Sequence, residues 1–171
     1  MQRNLKRVVM ILASSLLLFF GFAASAQATT DFSNAPSGAH YASGSSEPVC
    51  SWSGATATCS STVIGGIGHT NATVNLTVTT TFTGYCYNPG NPSKPVTPFT
   101  KSVSQPTVSD KATSRNGQIA IPQVSATGLT AADFAYKCPN RNWTPVVNGP
   151  TYSYAYAVTF AGFSQPVISQ P

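Results

Sequence analysis

Charged side chains are scarce in this sequence. Only four acidic residues occur in 171 positions, against nine lysines and arginines. Glycoside hydrolysis ordinarily needs a pair of carboxylates, and none of Asp31, Glu47, Asp110 and Asp133 has an acidic neighbour in sequence. The basic residues form no stripe that could displace many phosphate counterions, which argues against nucleic acid as a partner.

Other signatures of chemistry are missing as well. No two cysteines have the CxxC spacing of a zinc site, and His40 and His69 stand apart, so we expect neither a metal nor another cofactor. No Gly-x-Ser-x-Gly elbow accompanies the many serines. The glycines before His69 lack the lysine and the helix of a phosphate-binding loop. We therefore predict no catalytic residue and no enzymatic activity, and a secreted hydrolase ranks as a distant alternative.

The chain has one long apolar run, at its N-terminus. Three basic residues precede an apolar stretch from 8 to 24, and Ala-Gln-Ala at 26–28 offers small residues to a signal peptidase. These features predict a signal peptide over 1–28, with cleavage after Ala28. No second apolar run follows, so we expect a soluble, secreted protein without a membrane span. Its six basic and four acidic residues would give a net charge of +2.

Four cysteines remain after that cleavage: Cys50, Cys59, Cys86 and Cys138. An even number in an exported chain predicts two disulfides, for which three pairings exist. We favour Cys50 with Cys59, because the residues between them resemble a short hairpin that turns near Gly54. Cys86 then pairs with Cys138.

Alternation of apolar and polar residues predicts β-strands. From Ala72 to Tyr87 the chain reads as one long, half-buried strand with Gly84 as a candidate bulge. Its apolar face would consist of Val74, Leu76, Val78, Phe82 and Cys86. The proline-rich stretch that follows is expected to be extended and outside any central strand, with a further strand from Phe99 to Val108.

Turn signals divide the second half of the chain. Asn116-Gly117 predicts a hairpin, and the residues 130–133 resemble the start of a single helical turn. A turn at 148–150 is expected before a final strand. In that strand a row of bulky side chains would face the core, namely Tyr152, Tyr154, Tyr156, Val158 and Phe160.

These elements predict an all-β protein, an antiparallel β-sandwich of about seven strands with two disulfides. The sequence around Tyr136 and Cys138 is similar to the immunoglobulin F-strand, so an immunoglobulin-like architecture is one candidate. Residues 29–48 lack periodicity and are predicted to be a flexible N-terminal arm. Residues 49–171 would form the single domain.

Four motifs together resemble a family. They are CSSTVIGGIGHTNATV at 59–74, GYCYNPGN at 84–91, the Asn-Gly step at 116–117 and CPNRNWTP at 138–145. They are similar to small secreted bacterial β proteins of unknown function that carry Cys-x-Asn-Pro-Gly-Asn and Cys-Pro-Asn-x-Asn-Trp, although His69 stands where that pattern has asparagine. The resemblance implies an extracellular location and a β fold, and it implies no activity.

The sequence favours a role in binding over a role in catalysis. We expect a cell-envelope or extracellular structural or interaction protein, with a cell-surface protein or a glycan as its partner. The alternative is a carbohydrate-binding module, because aromatic rings on an exported β domain can form a platform for sugars. The candidate ligand-binding residues are Tyr85, Tyr87 and Trp143.

Overall fold

The structure is a computed structural model that describes residues 28–91 and 95–171. These residues form thirteen β-strands and two short 3₁₀ turns, Phe32–Asn34 and Ala131–Asp133, and no α-helix occurs among them. No helix in the described ranges has the length and hydropathy that a membrane crossing requires. Apart from Ala28, the predicted signal peptide lies outside the described residues.

The strands are β1 (Thr29–Thr30), β2 (His40–Tyr41), β3 (Cys50–Ser53), β4 (Thr56–Cys59), β5 (Thr62–Gly65), β6 (Ala72–Tyr87), β7 (Pro95–Ser104), β8 (Val108–Ala112), β9 (Ser114–Arg115), β10 (Gln118–Ile121), β11 (Val124–Thr127), β12 (Thr144–Phe160) and β13 (Ile168–Gln170).

The first layer is a six-stranded antiparallel sheet built around β6. β12 pairs with one side of β6 along its whole length, from Thr144 opposite Tyr87 to Phe160 opposite Ala72. β7 and then β8 pair with the other side, so these two strands form one interrupted edge. β13 and the two-residue β1 extend the sheet beyond β12. The long strand predicted from Ala72 to Tyr87 is confirmed.

Prolines lie along the β7 edge of this sheet. Pro95 and Pro98 belong to β7, and Pro106 lies between β7 and β8. Proline has no backbone N–H to donate, so it is tolerated in a strand whose outer side has no partner. The strand starts at Pro95 rather than at Phe99, and its position at the edge agrees with the prediction that this stretch is no central strand.

The second layer consists of two short sheets that share one register. β5 pairs with β10 and β4 pairs with β11. Gln118 lies opposite Gly65 and Thr127 lies opposite Thr56, with no residue gained or lost between them. The two sheets are therefore successive parts of one ladder, interrupted around Pro122. β2 and β9 flank one part, and β3 flanks the other.

The hydrophobic core lies between the two layers, where β10 and β11 contact β6 and β8. The predicted apolar face of β6 is buried at every position, because alternate side chains of a strand point to the same side. The second layer contributes Ile64, Ile119, Ile121 and Val124 to the same core. The chain is thus an all-β protein with a sandwich-like arrangement of antiparallel sheets, as predicted.

The predicted core row of the final strand is only partly buried. Tyr156, Val158 and Phe160 are at most 1% exposed, whereas Tyr152 and Tyr154 are half-buried. The ring of Trp52 packs against both of the half-buried tyrosines, with centroid distances of 5.7 and 5.5 Å. Their rings line the margin of the core because the second layer ends at the exposed β3 edge.

The structure corrects the predicted turn at 148–150. β12 continues through these residues, and its pairing with β6 merely shifts in register between Asn148 and Thr151. A bulge of this kind accommodates Gly149 and Pro150 without ending the strand. The flanking residues on both sides remain paired with the same partner strand, so the chain does not reverse.

Gly84 is not a bulge either, since it lies opposite both Val147 and Phe99 in regular pairing. A Cβ atom at this position would come within 2.2 Å of the Val146 carbonyl oxygen and 2.5 Å of the Phe99 ring. Glycine is therefore required here because the neighbouring backbone and ring approach closely.

The N-terminal segment differs from the flexible arm that the sequence predicts. Thr29 and Thr30 pair with β13, and the backbone N–H of Asp31 donates to the Val167 carbonyl at 2.8 Å. β2 pairs with β5, and Ala35 is buried. Residues 29–48 are thus attached to both layers, through strands too short to produce a periodic signal in sequence.

The predicted turns and disulfides are confirmed elsewhere. β3 and β4 form a hairpin that turns at Gly54, with Cys50 directly opposite Cys59 and bonded to it. Cys86 is bonded to Cys138. Asn116 and Gly117 both have positive φ, as a two-residue hairpin turn between β9 and β10 requires.

These disulfides do not follow the immunoglobulin pattern. An immunoglobulin domain joins its two sheets through one central bond, whereas Cys50 and Cys59 lie on neighbouring strands of one sheet. Cys138 lies outside any strand, and its bond to Cys86 ties a connecting segment to β6. The immunoglobulin comparison therefore does not describe how this sandwich is cross-linked.

Replacing Cys86 and Cys138 together by alanine should destabilise the protein more than the same double replacement of Cys50 and Cys59. In the chain-entropy account, a disulfide that spans 52 residues contributes about 4 kcal/mol to the free energy of unfolding, and one that spans 9 contributes about 2.5 kcal/mol. Urea denaturation of the two variants and the wild type measures the difference. Equal losses would mean that loop length does not determine the contributions.

Tyr156→Phe should raise the free energy of unfolding by about 1 kcal/mol. The Tyr156 hydroxyl is buried without a hydrogen-bond partner among the described residues, and burial, together with the nearby Tyr41, raises its pKa well above the usual value. Removing a buried unpaired hydroxyl relieves a desolvation cost of about 1–3 kcal/mol, part of which is offset by the oxygen's lost contacts. Tyr156→Ala should instead cost about 3–5 kcal/mol, because it leaves a cavity. Chemical denaturation measures both variants, and a less stable Tyr156→Phe protein would show that the hydroxyl is bonded.

Candidate functional site

A connecting segment covers the inner face of the first layer where the second layer ends. We call residues 128–143 the covering segment. It begins beside the core, where the N–H of Gly128 donates to the Ala55 carbonyl and the N–H of Leu129 donates to the Thr80 hydroxyl, each at 2.9 Å. The Tyr152 hydroxyl donates to the Leu129 carbonyl at 3.1 Å. Thr80 is fully buried and polar, and this bond gives its hydroxyl a partner.

A 3₁₀ turn, Ala131–Asp133, follows in the covering segment. The Asp133 carboxylate accepts from the Thr130 backbone N–H at 2.9 Å and from the Thr130 hydroxyl at 2.6 Å. These hydrogen bonds lower the pKa of Asp133, and both end on its Oδ2. The helical turn predicted near these residues is confirmed.

Two ring stacks and a disulfide hold the rest of the covering segment on the sheet. Phe134 stacks on Phe82 with centroids 4.0 Å apart, and Tyr136 stacks on Phe99 at 3.7 Å. The next alternate residue, Cys138, is bonded to Cys86. The side chains of Phe134, Tyr136 and Cys138 therefore contact the first layer, and they fix the base of the site that follows.

A cavity of about 330 Å³ opens at the end of the covering segment. Its aromatic lining is Tyr136 and Trp143, both of which are half-buried. Its other lining residues are Lys137, Cys138, Pro139, Asn140, Arg141 and Pro145. The cavity thus combines two rings with a few polar and cationic residues, and in ligand sites such polar groups fix the orientation of the ligand.

A tight turn sets the positions of the polar residues in this cavity. The backbone N–H of Trp143 donates to the Asn140 carbonyl, and the backbone N–H of Asn142 donates to the Asn140 side-chain oxygen, each at 2.9 Å. No described residue accepts a hydrogen bond from the Asn140 side-chain nitrogen. Asparagine bonds of this kind stabilise turns without any need for a helix or strand.

The structure separates the three predicted ligand-binding residues. Trp143 lines the cavity. Tyr85 and Tyr87 flank Cys86 in β6, so their side chains lie on the opposite face of the sheet from the disulfide and the covering segment. Tyr136 was not predicted as a site residue. Its position two residues before Cys138 was the one feature of the sequence that linked it to the disulfide beside the cavity.

The outer face of the first layer is covered with hydroxyl groups. Pairs of side chains on β6 and on the neighbouring edge are hydrogen-bonded at 2.6 to 2.9 Å: Thr77 with Thr107, Thr79 with Ser104, and Thr81 with Ser102. Tyr85 and Tyr87 continue this face, where they lie opposite Pro98 and Pro95 of β7. The predicted platform residues therefore lie at one end of a largely uncharged surface.

The carboxylates of the described residues lie on separate elements. Asp31 caps the first 3₁₀ turn, and its pKa is lowered by hydrogen bonding to the Ser33 side chain and then to the Ser33 backbone N–H. Glu47 accepts a hydrogen bond from the Thr30 hydroxyl, and Asp110 lies on β8. In the described ranges no group of three metal-ligating side chains could hold a metal ion.

A second cavity, of about 270 Å³, lies between β6, β8 and the residue after β12. Its lining includes Lys111 and no aromatic side chain. It therefore offers less to a ligand than the cavity at Trp143, which has two rings and two cations.

Comparison with family models, with curated proteins and with solved structures gives no match for this chain. The resemblance to small secreted bacterial proteins stays a prediction from the motifs alone.

Proposed function

We propose that this chain is an exported, non-enzymatic β-sandwich module that binds a carbohydrate in the cavity at Trp143. The single observation that carries the proposal is the composition of that cavity: two half-buried rings next to the turn that presents Asn140 and Arg141. The apolar face of a sugar ring stacks on aromatic side chains, and its hydroxyls bond to polar ones.

The rigidity of the cavity supports a binding role. Tyr136 is stacked on a buried ring, and the neighbouring Cys138 is fixed by its disulfide. A ligand that enters such a site orders few side chains, so little of the binding energy is lost to conformational entropy. The cavity volume lies at the lower end of the range for small-molecule sites, which suits one or two sugar rings.

Export is part of the proposal. The pattern of the first 28 residues is that of a signal peptide, and both cysteine pairs are oxidised, which suits an extracellular compartment. The first described strand begins at Thr29, the residue that cleavage after Ala28 would leave at the N-terminus.

A structural or interaction role outside the cell is the second candidate, and the hydroxyl-covered outer face favours it. That face is open to solvent at several positions of β7 and β12 and includes Tyr85 and Tyr87. The two candidates place the binding residues on opposite faces of one sheet, so variants can separate them.

Intact-mass analysis of protein collected from the culture medium of the expressing cells should show a chain that starts at Thr29 and lacks four hydrogens relative to the fully reduced form. The first result reports the cleavage, and the second reports the two disulfides. A chain that retains residues 1–28 or carries free thiols would contradict export by this route.

Binding is tested by affinity electrophoresis in gels that contain single polysaccharides, neutral and acidic. The wild-type protein should be retarded by at least one polymer, and Trp143→Ala should remove the retardation, because the ring supplies the stacking surface. Tyr87→Ala is the matched control, since Tyr87 is also half-buried and lies opposite Thr144, next to Trp143 in the chain. Thermal denaturation confirms that both variants are folded.

The outcomes separate the candidates. Loss of retardation with Tyr87→Ala and not with Trp143→Ala would assign binding to the outer face and contradict the proposed site. Absence of retardation by every polymer would contradict carbohydrate binding itself and favour the structural role.

A further inference from the structure

Two cations line the proposed carbohydrate site. Lys137 and Arg141 lie on the covering segment, either side of Asn140, and both contribute to the cavity. Neither forms an ion pair with a described residue. Only five lysines and arginines occur in the described ranges, and the other three, Lys101, Lys111 and Arg115, lie on strands away from this cavity.

No carboxylate balances these two charges at the site. Asp133 is the acidic residue nearest in sequence, and its Oδ2 accepts both hydrogen bonds from Thr130. None of the four described carboxylates lines the cavity. The local charge is therefore positive, although the composition of the whole chain is poor in charge.

We propose that the cavity selects carbohydrates whose sugars carry a carboxylate, such as uronic acids, and this inference depends on the proposed carbohydrate function. Trp143 and Tyr136 contact the sugar ring, and Arg141 and Lys137 bind its carboxylate. The planar guanidinium of an arginine matches a carboxylate with two parallel hydrogen bonds, and the lysine adds a point charge. The Asn140 side-chain nitrogen is a further donor for a ring hydroxyl.

The arrangement explains why charge and rings occur together. A cation at an open site adds little affinity alone, because water and salt screen it. A ring alone binds many neutral sugars with little selectivity. At this site the rings contact the sugar and the cations bind its carboxylate. The site is therefore selective for the acidic form, since the charged hydrogen bonds add to the stacking contact.

The test compares a homogalacturonan oligosaccharide with its methyl ester by titration calorimetry. The two probes have the same ring and the same length, and they differ only in whether the carboxylate is free. The free acid should bind wild-type protein about tenfold more tightly or better, because its carboxylate accepts hydrogen bonds from two charged donors and the ester does not. Raising NaCl from about 50 to about 500 mM should weaken binding of the acid and leave the ester unchanged.

Substitutions assign the selectivity to the two cations. Arg141→Gln and Lys137→Gln should each reduce the preference for the acid while the affinity for the ester stays constant. Arg115→Gln is the matched control, because Arg115 lies on β9, outside the cavity, and it should leave the preference unchanged. Trp143→Ala should weaken binding of both probes.

Each of the other possible outcomes contradicts a defined part of the proposal. Equal affinity for acid and ester, with both lost in Trp143→Ala, would overturn the carboxylate selection and leave the carbohydrate site intact. Binding of the acid that Trp143→Ala does not change would indicate ion exchange only and overturn both. A sulfated polysaccharide that binds as tightly as the uronate would show recognition of charge without selection for a carboxylate, which also overturns the inference.

Discussion

The pairing of β6 along both of its sides is the constraint on which the rest of the structure depends. Its 16 residues are hydrogen-bonded to β12 on one side and to β7 and β8 on the other. One face of the strand is the floor of the core, and near its end the same face carries the ring and the sulfur that hold the covering segment. A shift of this strand by one residue would exchange the two faces, so the core and the site have a single common register. The position of β6 in the sheet therefore determines both the packing of the core and the position of the cavity.

The sequence predicts the parts of the fold that have a strong local signal. Alternation identifies β6 and its buried face, Asn116-Gly117 identifies a hairpin, and the residues between Cys50 and Cys59 identify another. The strand pairing within residues 29–48 left no signal in the sequence, because strands of two residues have no period and only distant partners such as β13 reveal them. The bulge at 148–150 was misinterpreted as a turn for a related reason. Glycine and proline occur in bulges and in turns alike, and only the continuous pairing of β12 with β6 identifies this one as a bulge.

The candidate site was predictable only in part. Alternation alone places Tyr85 and Tyr87 on the face opposite Cys86, so their separation from the covering segment could have been deduced from the disulfide pairing. That Trp143 lines one cavity with Tyr136, Lys137 and Arg141 could not be deduced from the sequence. These residues lie in a part of the chain that has no strand. That segment is held by ring stacking on Phe82 and Phe99, and such contacts between distant residues leave no periodic trace in the chain.

The prolines of the β7 edge have a consequence for how copies of this molecule coexist. An exposed strand edge is a template on which another chain can add a strand, and fibres grow in this way. Here the long edge contains Pro95 and Pro98, continues past Pro106, and ends with the charged pair Asp110 and Lys111 on β8. At the opposite margin the sheet ends in the two residues of β1. Among the described residues, prolines therefore interrupt one border and the other is two residues long, so both are poorer templates than a long uninterrupted strand. Because charged residues are few, electrostatic repulsion between copies is weak, and interrupted or short sheet margins are the structural feature that opposes strand addition.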